Sequence, residues 1–294
     1  MTGNGRRIGD IVIARALEMA MPFDRRAFFP DVSEEQWAPH LPWLAPNAYD
    51  PVTDKLIFPM QSYVVRTSRH TVLIDACVGN HKERPTRPQW HHKTDATYMQ
   101  ALAALGLAPK DIDFVFCTHL HSDHVGWNTR LEDGRWVPTF PNARYVFSKK
   151  ELEAWRDHGH PKFSRVTFED SVLPIVEAGR AELVANDYAL DDELWLESSP
   201  GHTPDHVSVM LASKGQSAVM CGDLMHSPVQ CRHPEWAPWP DWDAVVAART
   251  RSAFLQRYCE TPTLVCTAHF PLPSAGRIVR AGDAYGFEYD RETW

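Results

Sequence analysis

The run Thr118-His119-Leu120-His121-Ser122-Asp123-His124 packs three imidazoles and one carboxylate into six consecutive positions. Crowded imidazoles repel one another once protonated, whereas a metal dication keeps each ring neutral and takes a lone pair from it. The apolar stretch Ile112-Asp113-Phe114-Val115-Phe116-Cys117 just before it predicts a buried strand, and Gly126-Trp127-Asn128 just after it predicts a turn. Four potential ligands at the exit of a strand point to a metal site. Any one of these histidines alone would read as a surface or core residue; the pattern is what carries the inference.

Metal-capable side chains recur at comparable junctions further on. His202 sits in the stiff loop Pro200-Gly201-His202-Thr203-Pro204, after a predicted strand Leu194–Ser198. Asp223 follows the predicted strand Ser217–Cys221, and His269 follows the last one, Thr263–Thr267.

At these residues the chain resembles the metallo-β-lactamase superfamily, whose pattern is HxHxDH followed by His, Asp and His. Every slot is filled, by His119, His121, Asp123, His124, His202, Asp223 and His269, and the resemblance covers roughly Leu56 to Phe270. It implies an α/β fold, the four-layer αβ/βα sandwich, binding two metal ions. Zinc is the usual ion, with iron or manganese as substitutes. By the same resemblance His119, His121 and His202 hold the first ion, Asp123, His124 and His269 the second, and Asp223 bridges. Ring nitrogens bind zinc at about 2.0–2.1 Å, and a bridging carboxylate suits a centre about 3.5–4 Å across. Aspartate at 223, where antibiotic-cleaving relatives differ, points toward the dinuclear hydrolase branches, in particular the quorum-quenching lactonases and the methyl-parathion-hydrolase-like enzymes. Lactone-hydrolysing relatives carry a tyrosine three residues after the bridging aspartate; this chain has His226 there, either a hydrogen-bond donor to the substrate oxygen or a support for the ligands. Asp75 is expected to orient a ligand from behind, with Gly79 in the same loop; His206 either does the same or faces solvent, and His91, His92, His158 and His160 are expected to be solvated.

The chemistry expected is hydrolysis: a hydroxide shared by two metals attacks a carbonyl, opening a lactone or cleaving an ester of a fairly hydrophobic small molecule. Asp123 or water protonates the leaving oxygen. Phosphotriester or phosphodiester cleavage on the same metals is the second reading, and an iron-dependent oxidoreductase of the sulfur dioxygenase type the third.

The elements that must position these residues are legible in part. Gly9–Arg15, Leu56–Arg66, Thr71–Asp75 and Ala143–Phe147 read as strands, and Asp133-Gly134 as a hairpin turn. Ala181–Val184, Leu194–Ser198, Val207–Leu211 and Ser217–Cys221 read as strands of a second half. Helices are expected over Asp95–Leu105, Lys149–His158 (capped by Ser148, with Glu151 three residues on) and Asp241–Arg257. Residues 1–55 are taken as a first strand and an extended arm belonging to the same domain as the catalytic part, 56–294. The arm, rich in Pro and aromatics, carries a short capped helix at Ser33–Trp37. Its Phe23, Phe28, Phe29, Trp37 and Trp43 either reach over the site or mediate a homodimer. Trp127, Trp136, Trp236, Trp239 and Trp242 either offer apolar surface around the pocket or pack in the core.

Composition narrows the rest. A formal net charge of −8 gives no basic footprint for nucleic acid. No apolar run is long enough to span a membrane, and Met1–Asp10 lacks a signal-peptide core, so a cytoplasmic protein is expected. The six cysteines show no CxxC spacing and lie largely in apolar runs, which predicts buried thiols.

Overall fold

A computed structural model describes residues 5–157, 159, 162–163 and 165–292. The chain opens with β1 (Arg6–Ile8) and β2 (Ile11–Asp24), then three single-turn helices, α1 (Arg25–Phe28), α2 (Glu34–Trp37) and α3 (Leu41–Leu44). Next come β3 (Tyr49–Asp50), β4 (Lys55–Arg66), β5 (Thr71–Ile74), α4 (Thr97–Ala104), β6 (Phe114–Phe116) and α5 (Ser122–Val125). They are followed by the hairpin β7 (Thr129–Glu132) and β8 (Arg135–Pro138), then β9 (Arg144–Ser148), α6 (Lys149–Asp157), α7 (Val166–Ser171), α8 (Leu173–Glu177) and β10 (Ala181–Val184). The remainder is β11 (Leu194–Ser198), β12 (Val207–Ser213), β13 (Gln216–Met220), α9 (Val229–Arg232), α10 (Ala244–Tyr258), β14 (Leu264–Cys266), β15 (Ala275–Ala281) and β16 (Ala284–Tyr289).

Among the described residues, one sheet runs β1-β2-β4-β5-β6-β9-β10, with β3 beside β4, and a second runs β11 to β16 in sequence order. Side-chain alternation along the strands builds the layers. Val72, Ile74, Phe116 and Val146 face Val207, Val209, Leu211 and Met220 of the second sheet. Their neighbours Leu73, Val115, Tyr145 and Phe147 face outward onto Tyr98, Leu102, Leu152 and Phe168 of the helices. On the far side, Met210, Val219 and Val265 pack against Phe254, Leu255 and Tyr258 of α10. Helix, sheet, sheet, helix is the four-layer sandwich expected.

Several expected elements shift. Gly9 and Asp10 form the turn between β1 and β2, because Gly9 takes a φ of +57°, and the strand continues to Asp24. Ala181–Val184 joins the first sheet, parallel to β9, and not the second half. Asp243 caps α10, so Asp241 lies outside the helix and is free for other work. α7, α8, β15 and β16 have no counterpart in the sequence reading; β15 and β16 are only partly buried and lack a clean alternation.

The β2–β4 ladder slips at a bulge between Leu17 and Met19. A bulge re-aims the extra side chain, here Glu18. Its buried carboxylate accepts from Val78 N (2.8 Å) and Trp127 Nε1 (2.8 Å) and pairs with Lys93 (2.9 Å). The loop after β5 is thereby tied to the turn after the histidine run. Gly126 completes that seam, since a Cβ there would sit 1.8 Å from the Val78 carbonyl oxygen.

The arm is less extended than expected. Ser33 and Gln36 form a reciprocal cap on α2, and Asp24 caps α1. Arg25 pairs with Glu34 (2.6 Å) and Asp54 (2.8 Å), and Trp37 is fully buried with its ring 4.9 Å from Trp236. Five of the six cysteines are buried and all are free thiols.

Candidate metal centre

His119, His121 and His124 leave β6 through a tight turn, with His121 as the residue before α5. Asp75, in a left-handed conformation (φ 59°) at the end of β5, fixes the turn: its carboxylate accepts from Thr118 N (2.8 Å) and from His124 Nδ1 (2.9 Å). Thr118 Oγ1, which also bonds Asp75, sits 3.0 Å from His119 Nδ1. His202 Nδ1 donates to the buried Asp241 (2.9 Å), whose other oxygen accepts from Arg251 (3.2 Å). His269 Nδ1 donates to the Pro59 carbonyl of β4 (2.9 Å). With the outer nitrogens of these four rings engaged, the lone pairs of their Nε2 atoms face inward.

Asp223 occupies the centre. Its Oδ1 lies 3.1 Å from His124 Nε2 and 3.0 Å from His269 Nε2. The other oxygen lies 3.2 Å from His202 Nε2 and 3.6 Å from His119 Nε2. One carboxylate oxygen thus faces each histidine group, the arrangement a bridging ligand needs. His121 Nδ1 is 2.9 Å from His202 Nε2. Asp123 opens to the cavity, 3.8 Å from His124 Nε2 and 3.7 Å from His269 Nε2.

The donor atoms of His119, His121, His202 and Asp223 lie within 4.8 Å of one another, and so do those of Asp123, His124 and His269. Among the described residues, His119 Nε2, His124 Nε2 and Asp223 Oδ1 are buried and find no hydrogen-bond partner of good geometry. Buried polar atoms left so are costly unless a ligand completes them. The set therefore fits metal: ring nitrogens and carboxylates converge in two groups around one shared acid.

The electrostatics divide the rings: for His124 and His269 burial is outweighed by Asp223 and the neighbouring carboxylates, which raise His124 well above its ordinary value and raise His269. Burial drives His119 well below its ordinary value, and lowers His206 to about 3. Burial opposes charge on Asp223 too, but the surrounding imidazoles hold it well below the usual carboxylate range. For His202 burial is outweighed by Asp223 and Asp241, which raise it to about 9 in the metal-free protein; a bound cation would take the place of that proton.

His206 lies beneath the centre, where Nε2 accepts from Asp223 N (3.1 Å) and Nδ1 bonds Ser199. His226 does line the cavity. Its Nε2 sits 3.1 Å from Asp223 Oδ2 and its ring stacks on His269 at 5.4 Å. Burial lowers it to about 4, so the ring is neutral and its one proton serves Asp223 in this arrangement. His91 accepts from Arg84 N (3.0 Å) and His92 is exposed; His158 and His160 lie outside the described residues.

The cavity above the centre holds about 330 Å³. Its walls are Phe23 and Phe28 of the arm, Phe58 and Met60 of β4, and Trp90, Phe163 and Trp239 from loops. Of the five tryptophans weighed for it, only Trp239 contributes. Trp127 stacks on Tyr98 beneath the site, Trp136 covers Lys82, Trp236 packs behind the arm, and Trp242 is partly exposed. Sequence reasoning missed Asp241, Phe58 and Trp90. A lone acid inside the apolar run Trp239-Pro240-Asp241-Trp242 was the available signal for the first.

A four-layer sandwich carrying a His/Asp cluster able to bind metal at one edge defines a class of hydrolases. Residues 58–258 match the metallo-beta-lactamase superfamily, well over half of the chain, and the protein belongs to that superfamily. An N-acyl homoserine lactonase of Bacillus sp is 25% identical over 40% of this chain and 40% of that protein. The N-acyl homoserine lactonase AiiB of Agrobacterium fabrum is 32% identical over 35% of this chain and 46% of that protein. The alignments thus span less than half the length of these curated relatives. Among solved structures, the hydrolase AbOPH superposes with a TM-score of 0.82 at 24% identity, covering 99% of both chains. AidC, a dizinc quorum-quenching lactonase in complex with a product, gives 0.79 at 18%, again over 99% of both. At those identities the likeness is one of fold. No helix among the described residues is long and apolar enough to cross a membrane.

Proposed function

We propose that this chain is a dinuclear zinc hydrolase that opens lactones or cleaves esters of hydrophobic small molecules. The observation that carries the reading is the position of Asp223, one oxygen toward His124 and His269 and the other toward His119 and His202, at the floor of an aromatic-walled cavity. In this reading His119, His121 and His202 hold one ion, Asp123, His124 and His269 the other. Such ions supply Lewis acidity, which activates water near neutral pH and polarises a carbonyl. The lactonase activity of the curated relatives supports the substrate class.

The chain's own residues then have separable tasks. Asp75, Asp241 and the Pro59 carbonyl fix ring orientation. His226 steadies Asp223 through Nε2 and presents an imidazole edge to the substrate. Asp123, the carboxylate open to the cavity, is placed to hold the proton a leaving oxygen needs. Phe23, Phe28 and Trp239 exclude water and take up the apolar part of the substrate. Phe23 and Phe28 of the arm close over the cavity, and we read these two rings as pocket wall and not as a dimer contact.

Metal analysis of the purified protein, followed by a panel of lactones, aryl esters and phosphotriesters, tests this. Two zinc ions with turnover of lactones or esters is the expected result. A coloured iron protein, or two zinc ions with phosphotriesters as the only substrates, would replace it.

A further inference from the structure

Arg87 enters the cavity from the loop between β5 and α4. Its guanidinium carbon stands 5.2, 5.8 and 5.9 Å from the ring centres of Phe23, Trp90 and Trp239. Among the described residues its side chain makes no hydrogen bond or ion pair. The other cations of the cavity are engaged: Arg84 grips Asp170 with two bonds (2.7 and 3.0 Å), and Lys162 donates to the carbonyls of Trp239 and Asp241 (both 2.7 Å). The acid whose field reaches Arg87 is Asp123, which the hydrolase reading commits to metal.

Three aromatic faces hold the guanidinium plane in place and strip part of its water, yet supply no hydrogen-bond acceptor. A planar five-donor fork so placed matches a carboxylate in two-point geometry, and desolvation strengthens that pair. We propose that Arg87 anchors the substrate, and that the cavity takes hydrophobic esters or lactones bearing a carboxylate remote from the scissile bond. The inference rests on the hydrolase reading for the reaction, though not for the binding.

Two matched pairs of compounds test it on the zinc-loaded protein. The first is the para-nitrophenyl monoester of suberic acid against the same ester with its free acid methylated, followed by turnover. The second is phenylbutyrate against phenylbutyramide, followed through tryptophan fluorescence, since Trp90 and Trp239 flank the anchor. The wild type should favour the acid in each pair, through a lower KM in the first. Arg87→Met should reduce both preferences at least about tenfold, and Arg87→Lys, keeping charge without the fork, should fall between. An acid-to-neutral ratio that is the same in all three proteins overturns the proposal, as does an equal loss on both members of each pair, which a merely structural role would give. A wild type that hydrolyses neither ester yet binds phenylbutyrate through Arg87 sinks the hydrolase reading and keeps the anchor. One that hydrolyses both alike, with binding indifferent to Arg87, does the reverse.

Discussion

The floor of the site and its wall are built on different principles. On the floor, His119, His124, His202 and His269 each have an outer nitrogen engaged by a named oxygen, so position is fixed by directional polar contacts. The wall is assembled from Phe23, Phe28, Phe58, Trp90 and Trp239, brought from four separate segments and held by edge-on and tilted ring packing. Polar networks tolerate little displacement, whereas apolar surfaces admit other shapes of similar volume. The floor therefore sets the reaction, and the wall sets what enters.

Substitutions can break this division. Asp223→Ala removes the shared carboxylate and should cost on the order of a thousandfold or more in kcat, with loss of bound zinc by elemental analysis. Retention of both zinc ions and of activity would show that the floor does not depend on a bridge. Chelation should act in the same direction and be reversed by added zinc. Next in size, Trp37→Ala takes a fully buried ring from behind the wall and should destabilise the fold by about 3–5 kcal/mol in urea melts. Zinc content should hold while KM rises; a fall in zinc would mean that wall and floor are coupled.

Asp75→Asn and Asp241→Asn act from the other side. Each keeps the size of the group behind His124 or His202 but weakens its hold on the Nδ1 proton. Zinc affinity should drop about 10–100-fold by competition with a chelating dye, with little change in the KM of the loaded enzyme. A change in KM without a change in affinity would reverse the assignment.

The same contrast decides what was legible from sequence. The floor's candidate ligands come from short local patterns at strand exits, and chemistry restricts their types, so His119–His124, His202, Asp223 and His269 stand out in one dimension. The helper Asp241 does not, because its role depends on Asp243 being the cap that starts the helix, about one turn later than the expected start at Asp241. The wall leaves even less trace. Trp90 faces the cavity and Trp127 lies buried against Tyr98, though both sit in comparable loop contexts. Only tertiary packing separates them. The β15–β16 hairpin was invisible for a related reason: half-exposed strands at a sheet edge carry no strong alternation.

The smallest effect concerns the anchor of the wall loop. Lys82 is fully buried, with Nζ bonded to Thr129 Oγ1 (2.6 Å) and the Asp170 carbonyl (3.0 Å), and 3.6 Å from the centre of the Trp136 ring. It begins the segment that carries Arg87 and Trp90, and the Lys82 carbonyl accepts from His92 N. Burial lowers its value from 10.5 to about 7, only partly offset by Asp170. Below pH 7 the lysine is charged in both folded and unfolded chains, and the fold bears the cost of burying that charge. Above pH 7 the folded chain releases the proton while the unfolded chain keeps it until about 10.5, so the unfolded state binds more protons and stability rises with pH across that window. Relative to Lys82→Met, which cancels the other titrations, the wild type should gain about 1 kcal/mol per pH unit between pH 7.5 and 9 in denaturant melts. A flat difference would mean that Thr129, Asp170 and the Trp136 ring hold the ammonium charged. The wall would then have a polar anchor as directional as the floor's own, and the division between the two would stop at the aromatic surface.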